Sequence, residues 1–218
     1  MFGTAVIDMS DSLDPIHQRI AEEIETQGWC LTQDYIDPED ICELYQQVEQ
    51  HYLNQDMLQA GIGSNHKYQI NQKIRSDYVM WVDPQTADGP LGRYFQRLAR
   101  LKAYLNQTLI LGLYDLECQM AIYPAGAHYA KHLDCFQGTS LRTLTCILYL
   151  NPGWSAVDGG QLRIYTQADA ETQYIEILPL GGQLVTFLSE RFIHEVLPTQ
   201  RRRASISGWF RKRPIQAI

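Results

Sequence analysis

His132 and Asp134 stand one residue apart in Tyr129-Ala130-Lys131-His132-Leu133-Asp134, and a distant histidine, His194, is followed nine residues later by Arg203. Two imidazole nitrogens and one carboxylate oxygen form the donor set that binds ferrous iron on one face and leaves the opposite positions open for a co-substrate and oxygen. A positive charge fixed nearby would then grip an acidic co-substrate. A His-x-acid pair alone is weak evidence, because a surface histidine beside a solvated aspartate has the same spelling. Strand context strengthens it. On a β-strand, residues i and i+2 project to one face, so His132 and Asp134 would reach one ion without bending the backbone, with Leu133 turned into apolar packing.

The elements that must position these side chains divide the chain in two. Asp14-Pro15 offers an N-cap with proline at the first helical position, and Ile16, Ile20 and Ile24 then share a face until Gly28. Asp37-Pro38 repeats the signal, with Asp40 in the first turn and a stripe of Ile41, Leu44, Tyr45, Val48 and Tyr52. Asp88-Gly89-Pro90 introduces a third amphipathic pattern through Leu91, Tyr94, Phe95, Leu98, Leu101 and Leu105. Gly28 to Tyr35 reads as a short strand between the first two helices. From about Leu116 onward, short β-rich runs are separated by Gly, Pro, Asn and Asp: Gln119 to Tyr123, His128 to Cys135, Thr143 to Leu150, Gln161 to Tyr165, Tyr174 to Leu178, Leu184 to Leu188, Phe192 to Leu197 and Ala204 to Arg211. The expected fold is α+β: three helices on one side of an eight-stranded jelly-roll barrel. One domain, residues 1–218, would comprise helical support over about 1–110 and a barrel core over about 114–212. Ser64 to Asp83 is less regular and is expected to be a connecting hairpin or a loop over the barrel mouth.

Composition narrows the partners. With 218 residues, 45% of them apolar, the chain is long enough for one sizeable core and short for two. A net charge of -7 disfavours nucleic acid and anionic membranes, which require a basic footprint. Asp8, Asp11 and Asp14 interrupt the start of the chain, and no apolar run approaches bilayer length, so a soluble cytoplasmic protein without a membrane partner is expected. Five cysteines with no C-x-x-C pair argue for reduced thiols rather than disulfides or a zinc clip. Cys135, directly after Asp134, reads as a small buried hydrophobe.

Alternation sorts the candidate pocket residues. Thr145, Ile147 and Tyr149 fall on one face of their strand, and Leu144, Cys146, Leu148 and Leu150 on the other. Arg203, Ser205, Ser207 and Trp209 likewise share a face. A guanidinium aimed into a barrel beside a tyrosine hydroxyl suits a carboxylate, which it binds through two parallel charge-assisted hydrogen bonds. Residues 196–218 hold six basic side chains and no acid, so Arg201 and Arg202 read as a solvated basic edge and Arg203 alone as functional.

Met120-Ala121-Ile122-Tyr123-Pro124, Tyr129 to Asp134, Arg142 to Asn151, Gly159-Gly160-Gln161-Leu162-Arg163-Ile164, His194-Glu195-Val196 and Arg203 to Trp209 together resemble the iron and 2-oxoglutarate dependent prolyl hydroxylases that modify hypoxia-inducible factor. Ile74-Arg75-Ser76-Asp77 with Trp81 resembles the segment preceding the barrel in that family, and the resemblance runs from about Gly28 to Phe210. It implies the double-stranded β-helix, or cupin-like, form of the jelly roll. It implies His132, Asp134 and His194 as ligands of Fe(II), Arg203 and Tyr149 as the grip on the distal carboxylate of 2-oxoglutarate, and Tyr123 as a wall of the co-substrate pocket. Arg142 and Trp209 would face the substrate, and Ser64 to Asp83 would be the lid. Oxygen is the implied second co-substrate, with ascorbate as a stimulant. The implied partner is a proline-containing protein, elongation factor Tu being the candidate among compact bacterial members, and a monomer is expected. The loop from Tyr123 to His132 is one residue shorter than in animal members, and a counterpart of their amino-terminal zinc finger is not expected.

Other histidines carry blander readings. His17, His51 and His66 are expected on surfaces or in packing. His128 and His132 have the spacing of a helical zinc site, but Tyr129 stands where that motif needs glutamate and the segment reads as strand. Gly159-Gly160 reads as a turn. Competing functions are hydroxylation of a free amino acid or other small molecule, a non-catalytic metal-binding or oxygen-sensing barrel, and, against the acidic balance, nucleic-acid demethylation.

Overall fold

The computed structural model describes residues 14–63, 69–135, 141–167 and 172–214. Helix α1 (Pro15–Thr26) starts as its spelling requires: the Asp14 side chain accepts from the Ile16 amide at 2.9 Å and Pro15 occupies the first turn. Helices α2 (Pro38–Leu53) and α3 (Gly89–Leu109) also carry proline in the first turn, although neither Asp37 nor Asp88 closes a side-chain cap hydrogen bond, and they bury Ile41, Leu44 and Val48 of one and Tyr94, Phe95, Leu98, Leu101 and Leu105 of the other. The Asp40 carboxylate of α2 pairs with Arg93 of α3, which locks the two helices together.

Eleven strands are present among the described residues: β1 (Trp29–Thr32), β2 (Leu58–Gln59), β3 (Tyr78–Val82), β4 (Leu113–Tyr123), β5 (Tyr129–His132), β6 (Arg142–Tyr149), β7 (Leu162–Tyr165), β8 (Tyr174–Ile177), β9 (Leu184–Leu188), β10 (His194–Val196) and β11 (Arg203–Lys212). The last eight correspond to the eight runs read from the sequence. They form two antiparallel sheets, one of order β1-β9-β6-β11-β4-β3-β2 and one of order β5-β10-β7-β8. Alternation divides the larger sheet as expected. Cys118, Met120, Ile122, Leu144, Cys146, Leu148, Ala204 and Ile206 join the core under the helices, whereas Ala121, Tyr123, Ile147, Tyr149, Val185 and Phe187 join a second core with Leu162, Ile164 and Val196 of the smaller sheet. The site lies on that second, inner side.

Several expectations are corrected. The strand expected over His128–Cys135 ends at His132, so Asp134 sits in a bend rather than on the strand, and Leu133 is half-buried and joins neither core. Tyr78–Val82, within the segment read as a connecting hairpin or a loop over the mouth, is an integral strand paired with β4 from Tyr78 to Val82. Ser64 to Tyr68, including His66, lie outside the described residues. Cys135 is only partly buried. Arg201 and Arg202 are not merely solvated: Arg201 pairs with Asp158 at 3.1 Å and lies over Trp154, and Arg202 reaches Glu49 of α2 at 2.9 Å. Among the described residues no helix is long and apolar enough to cross a membrane.

Candidate active site

Between the two sheets lies a cavity of about 360 Å³ whose lining includes His132, Asp134, His194, Arg203, Tyr123 and Trp209. Donor atoms of His132, Asp134 and His194 all fall within 4.8 Å of one another. The histidines come from facing positions of neighbouring strands, since His194 of β10 pairs in register with His132 of β5. His132 Nδ1 meets the Ala130 carbonyl oxygen at 2.8 Å and His194 Nδ1 that of Phe192 at 3.1 Å. A carbonyl only accepts, so each Nδ1 carries a proton, and in the neutral ring that tautomer leaves Nε2 with its lone pair. Those two Nε2 atoms stand 3.6 Å from the two oxygens of Asp134.

The electrostatics suit a cation. Burial, reinforced by the neighbouring His194, pushes the His132 imidazole down to about 3, so it stays neutral at ordinary pH and its lone pair remains available. Burial opposes ionisation of Asp134, but His194, His132, the Trp209 indole and Arg142 together hold its carboxyl below the usual range. The Trp209 N–H is near enough to contribute, yet closes no hydrogen bond. Thr145 Oγ1 donates to Asp134 Oδ2 at 2.8 Å and lies 2.9 Å from Ser189 Oγ. This hydroxyl pair restrains the carboxylate from behind, as outer-shell partners of metal ligands do.

The other end of the cavity is built around Arg203. Its side chain is 1% exposed, its Nε donates to the Gly160 carbonyl at 2.9 Å, and its guanidinium lies 5.0 Å from the Tyr123 ring and 4.9 Å from the Tyr149 ring. No carboxylate pairs with it among the described residues. Tyr149 stands behind it, fully buried, with a hydroxyl that closes no hydrogen bond; burial pushes that hydroxyl up to about 12 against the opposing charge of Arg203. Gly159 and Gly160, both at positive φ, allow this fit: a Cβ on Gly160 would come within 3.0 Å of Arg203 Cδ. Asn151 fixes the start of β11 by accepting from the Ala204 amide at 2.6 Å and donating to the Ala204 and Pro179 carbonyls. At the rim, the Arg142 guanidinium lies 3.9 Å over Trp209 and its Nε reaches Glu117 at 2.5 Å.

Each candidate metal-ligand, co-substrate and substrate-facing residue is therefore at this cavity or, for Tyr149, directly behind it. Sequence reasoning missed the roles of Ser189, Gly160 and Asn151 and gave Thr145 only a face. Alternation identified Thr145's direction; nothing local announced that Ser189, 44 positions away, would meet it. The remaining histidines are accounted for differently. His17 is buried against Tyr35, His51 pairs with Asp56, and His128 contacts the Lys73 carbonyl.

The model of the 2OG-Fe(II) oxygenase superfamily matches residues 118–211. A prolyl-4-hydroxylase from Pseudomonas putida is 34% identical, with a TM-score of 0.81 over 91% of this chain and 100% of that one. A prolyl hydroxylase of Trichoplax adhaerens, solved with a hypoxia inducible factor oxygen degradation domain peptide, is 25% identical with a TM-score of 0.81, covering 94% of this chain and 91% of its own. Human Egl nine homolog 1 is 32% identical over 154 residues, which are 67% of this chain and 35% of the human protein. The matched stretch spans about a third of the length of the human and mouse Egl nine homolog 1 proteins.

Proposed function

Because the chain belongs to the 2OG-Fe(II) oxygenase superfamily, among relatives that are prolyl hydroxylases, we propose that it hydroxylates a prolyl residue of a protein substrate at the 4-position, consuming 2-oxoglutarate and oxygen and releasing succinate and carbon dioxide. The observation that carries this reading is Arg203, a buried guanidinium with no carboxylate partner among the described residues, beside an unpartnered buried tyrosine hydroxyl. A charge held out of water without a counter-ion is costly, so the site suits an anion that arrives from solution. A dicarboxylate fits: one carboxylate would meet Arg203 and Tyr149, leaving the 2-oxo acid end for the metal. A barrel that merely stored metal would have no need of this grip.

His132 Nε2, His194 Nε2 and Asp134 would hold Fe(II), which when bound couples oxidative decarboxylation of 2-oxoglutarate by oxygen to insertion of one oxygen atom into a C–H bond. The chain's own residues bind, orient and exclude water. In the neutral rings the backbone-bound Nδ1 atoms carry the proton and leave each Nε2 its lone pair, and Thr145 holds the Asp134 carboxylate against rotation. Ile147, Leu162 and Val196 supply apolar walls that keep bulk water from the reacting centre. Tyr123 would wall the co-substrate, and Arg142 with Trp209 would face the peptide. Elongation factor Tu is the proposed target, with residues 1–218 acting as a one-domain monomer in the cytoplasm.

The test is mass spectrometry of elongation factor Tu, and of the wider proteome, with and without the iron-loaded enzyme. One-oxygen gains on proline are expected with wild type and none with Asp134→Ala. Normal turnover by Asp134→Ala would sink the assignment. Hydroxylation of free proline but of no peptide would move the substrate to small molecules, and 2-oxoglutarate binding without succinate release under any substrate would leave a non-catalytic barrel.

A further inference from the structure

Strict alternation would place Tyr129 and His132, three positions apart, on opposite faces of their strand. They share a face because β5 carries a bulge. His194 pairs with His132 and Val196 with Tyr129, so a two-residue step on β10 is matched by a three-residue step on β5. The result is a near-parallel stack, ring centroids 3.6 Å apart at 13°. The Arg75 guanidinium lies 4.3 Å from the Tyr129 ring centroid. Arg75 is itself gripped by fully buried Asp77, through Nε at 2.8 Å and Nη2 at 2.5 Å.

The backbone repeats the link. β5 is the edge strand of the smaller sheet, and its outer edge is completed by the segment leading into β3. The Ala130 amide donates to the Ile74 carbonyl at 2.7 Å, the Ser76 amide to the His128 carbonyl at 3.1 Å and the His128 amide to Ser76 Oγ at 3.1 Å, while Arg75 and Tyr129 form an antiparallel bridge. His132 Nδ1 is anchored to a carbonyl of its own strand, two residues back. That hydrogen bond and the tilted His194 ring, 4.2 Å away between centroids, leave the imidazole some freedom about its side-chain torsions; a parallel ring against its face removes that freedom before any ligand binds.

We propose that Tyr129 and Arg75 are positioning residues for the metal centre: the column Asp77, Arg75, Tyr129 holds the His132 ring with Nε2 aimed into the site and ties that ligand to the segment at the cavity mouth. The proposal rests on the reading of His132, Asp134 and His194 as the iron ligands. Co(II) serves as the probe, with affinity measured by competition titration and geometry by visible absorption, without turnover. Absence of binding to wild type would overturn the ligand reading itself, whereas variants indistinguishable from wild type would overturn only the brace.

Tyr129→Leu and Arg75→Met are each expected to weaken Co(II) binding about tenfold and to change the absorption band, the range that outer partners of metal ligands command. Tyr129→Phe keeps the ring and should stay within about twofold of wild type. The double variant Arg75→Met with Tyr129→Leu should cost little more than the worse single one, because the column acts as a unit. Wild-type affinity and spectrum in Tyr129→Leu would overturn the proposal, as would a loss in Tyr129→Phe equal to that in Tyr129→Leu. Should Tyr129→Leu fail to fold, Arg75→Met against Tyr129→Phe decides the same question.

Discussion

β11 runs against β4 from Arg203 to Lys212 and against β6 from Ser205 to Arg211, whereas β5 meets β10 only at His132 and Tyr129, with a bulge between. The larger sheet, backed by helices, presents Arg203, Thr145 and Trp209 to the cavity through alternation. The smaller sheet carries two of the three metal-donor candidates on strands of three and four residues, and the third lies beyond a strand end. Regular pairing thus aims the anion grip, which the Gly160 carbonyl then holds, while the donor cluster depends more on supports outside the strand ladders: a backbone carbonyl behind each imidazole, a hydroxyl behind the carboxylate and a stack against His132. Two ends of one cavity reach comparable order by different means, and they should fail separately when perturbed.

The largest expected effect is at the donor cluster. Asp134→Ala should lower both metal affinity and turnover by more than about 100-fold, beyond what loss of an outer partner costs, measured by Co(II) titration and succinate release. Next comes the opposite end. Arg203→Gln removes the charge and should raise the KM for 2-oxoglutarate roughly thirtyfold, equivalent to about 2 kcal/mol for a charged hydrogen bond, while leaving Co(II) affinity unchanged. A parallel loss of metal binding would show that the two ends are not independent. Thr145→Val tests the contrast from the larger sheet, because its hydroxyl serves the donor cluster. About a tenfold loss of metal affinity is expected with little change in the KM for 2-oxoglutarate.

The smallest effect is expected at Gly160. Gly160→Ala forces an alanine into the left-handed region and against Arg203 Cδ, which should cost about 1–2 kcal/mol of stability by denaturant titration. A modest rise in the KM for 2-oxoglutarate should accompany it, with no change in the Co(II) spectrum. A spectral change would mean that the Gly159-Gly160 turn supports the metal end as well, and the comparison would need redrawing.

Legibility in the sequence followed the same division. The three helices announced themselves through an aspartate and a proline at each start and through apolar stripes, because first-turn preferences and amphipathic burial are local. The faces of β6 and β11 were readable for a similar reason: a strand buried on both sides of a twisted sheet keeps its period. At β5 the assumption of strict alternation gave the right partnership for the wrong reason. His132 and Asp134 do converge, but through a strand that stops and a bend that follows. Tyr129, which alternation turns away from His132, is brought onto it by the bulge.

The sequence by itself determined the chemical inventory of this protein, two imidazoles, a carboxylate and a guanidinium, and the helix and strand periods that bring most of them inward. Only the tertiary structure decided which segments meet. It paired His132 with His194, set Ser189 behind Thr145, closed Gly160 onto Arg203 and laid Arg75 over Tyr129. The physical reason is that periodicity depends on a residue's own neighbours, whereas a bulge, an edge pairing or a second-layer hydrogen bond depends on how many residues the opposing strand supplies, and that count exists only once the strands have paired.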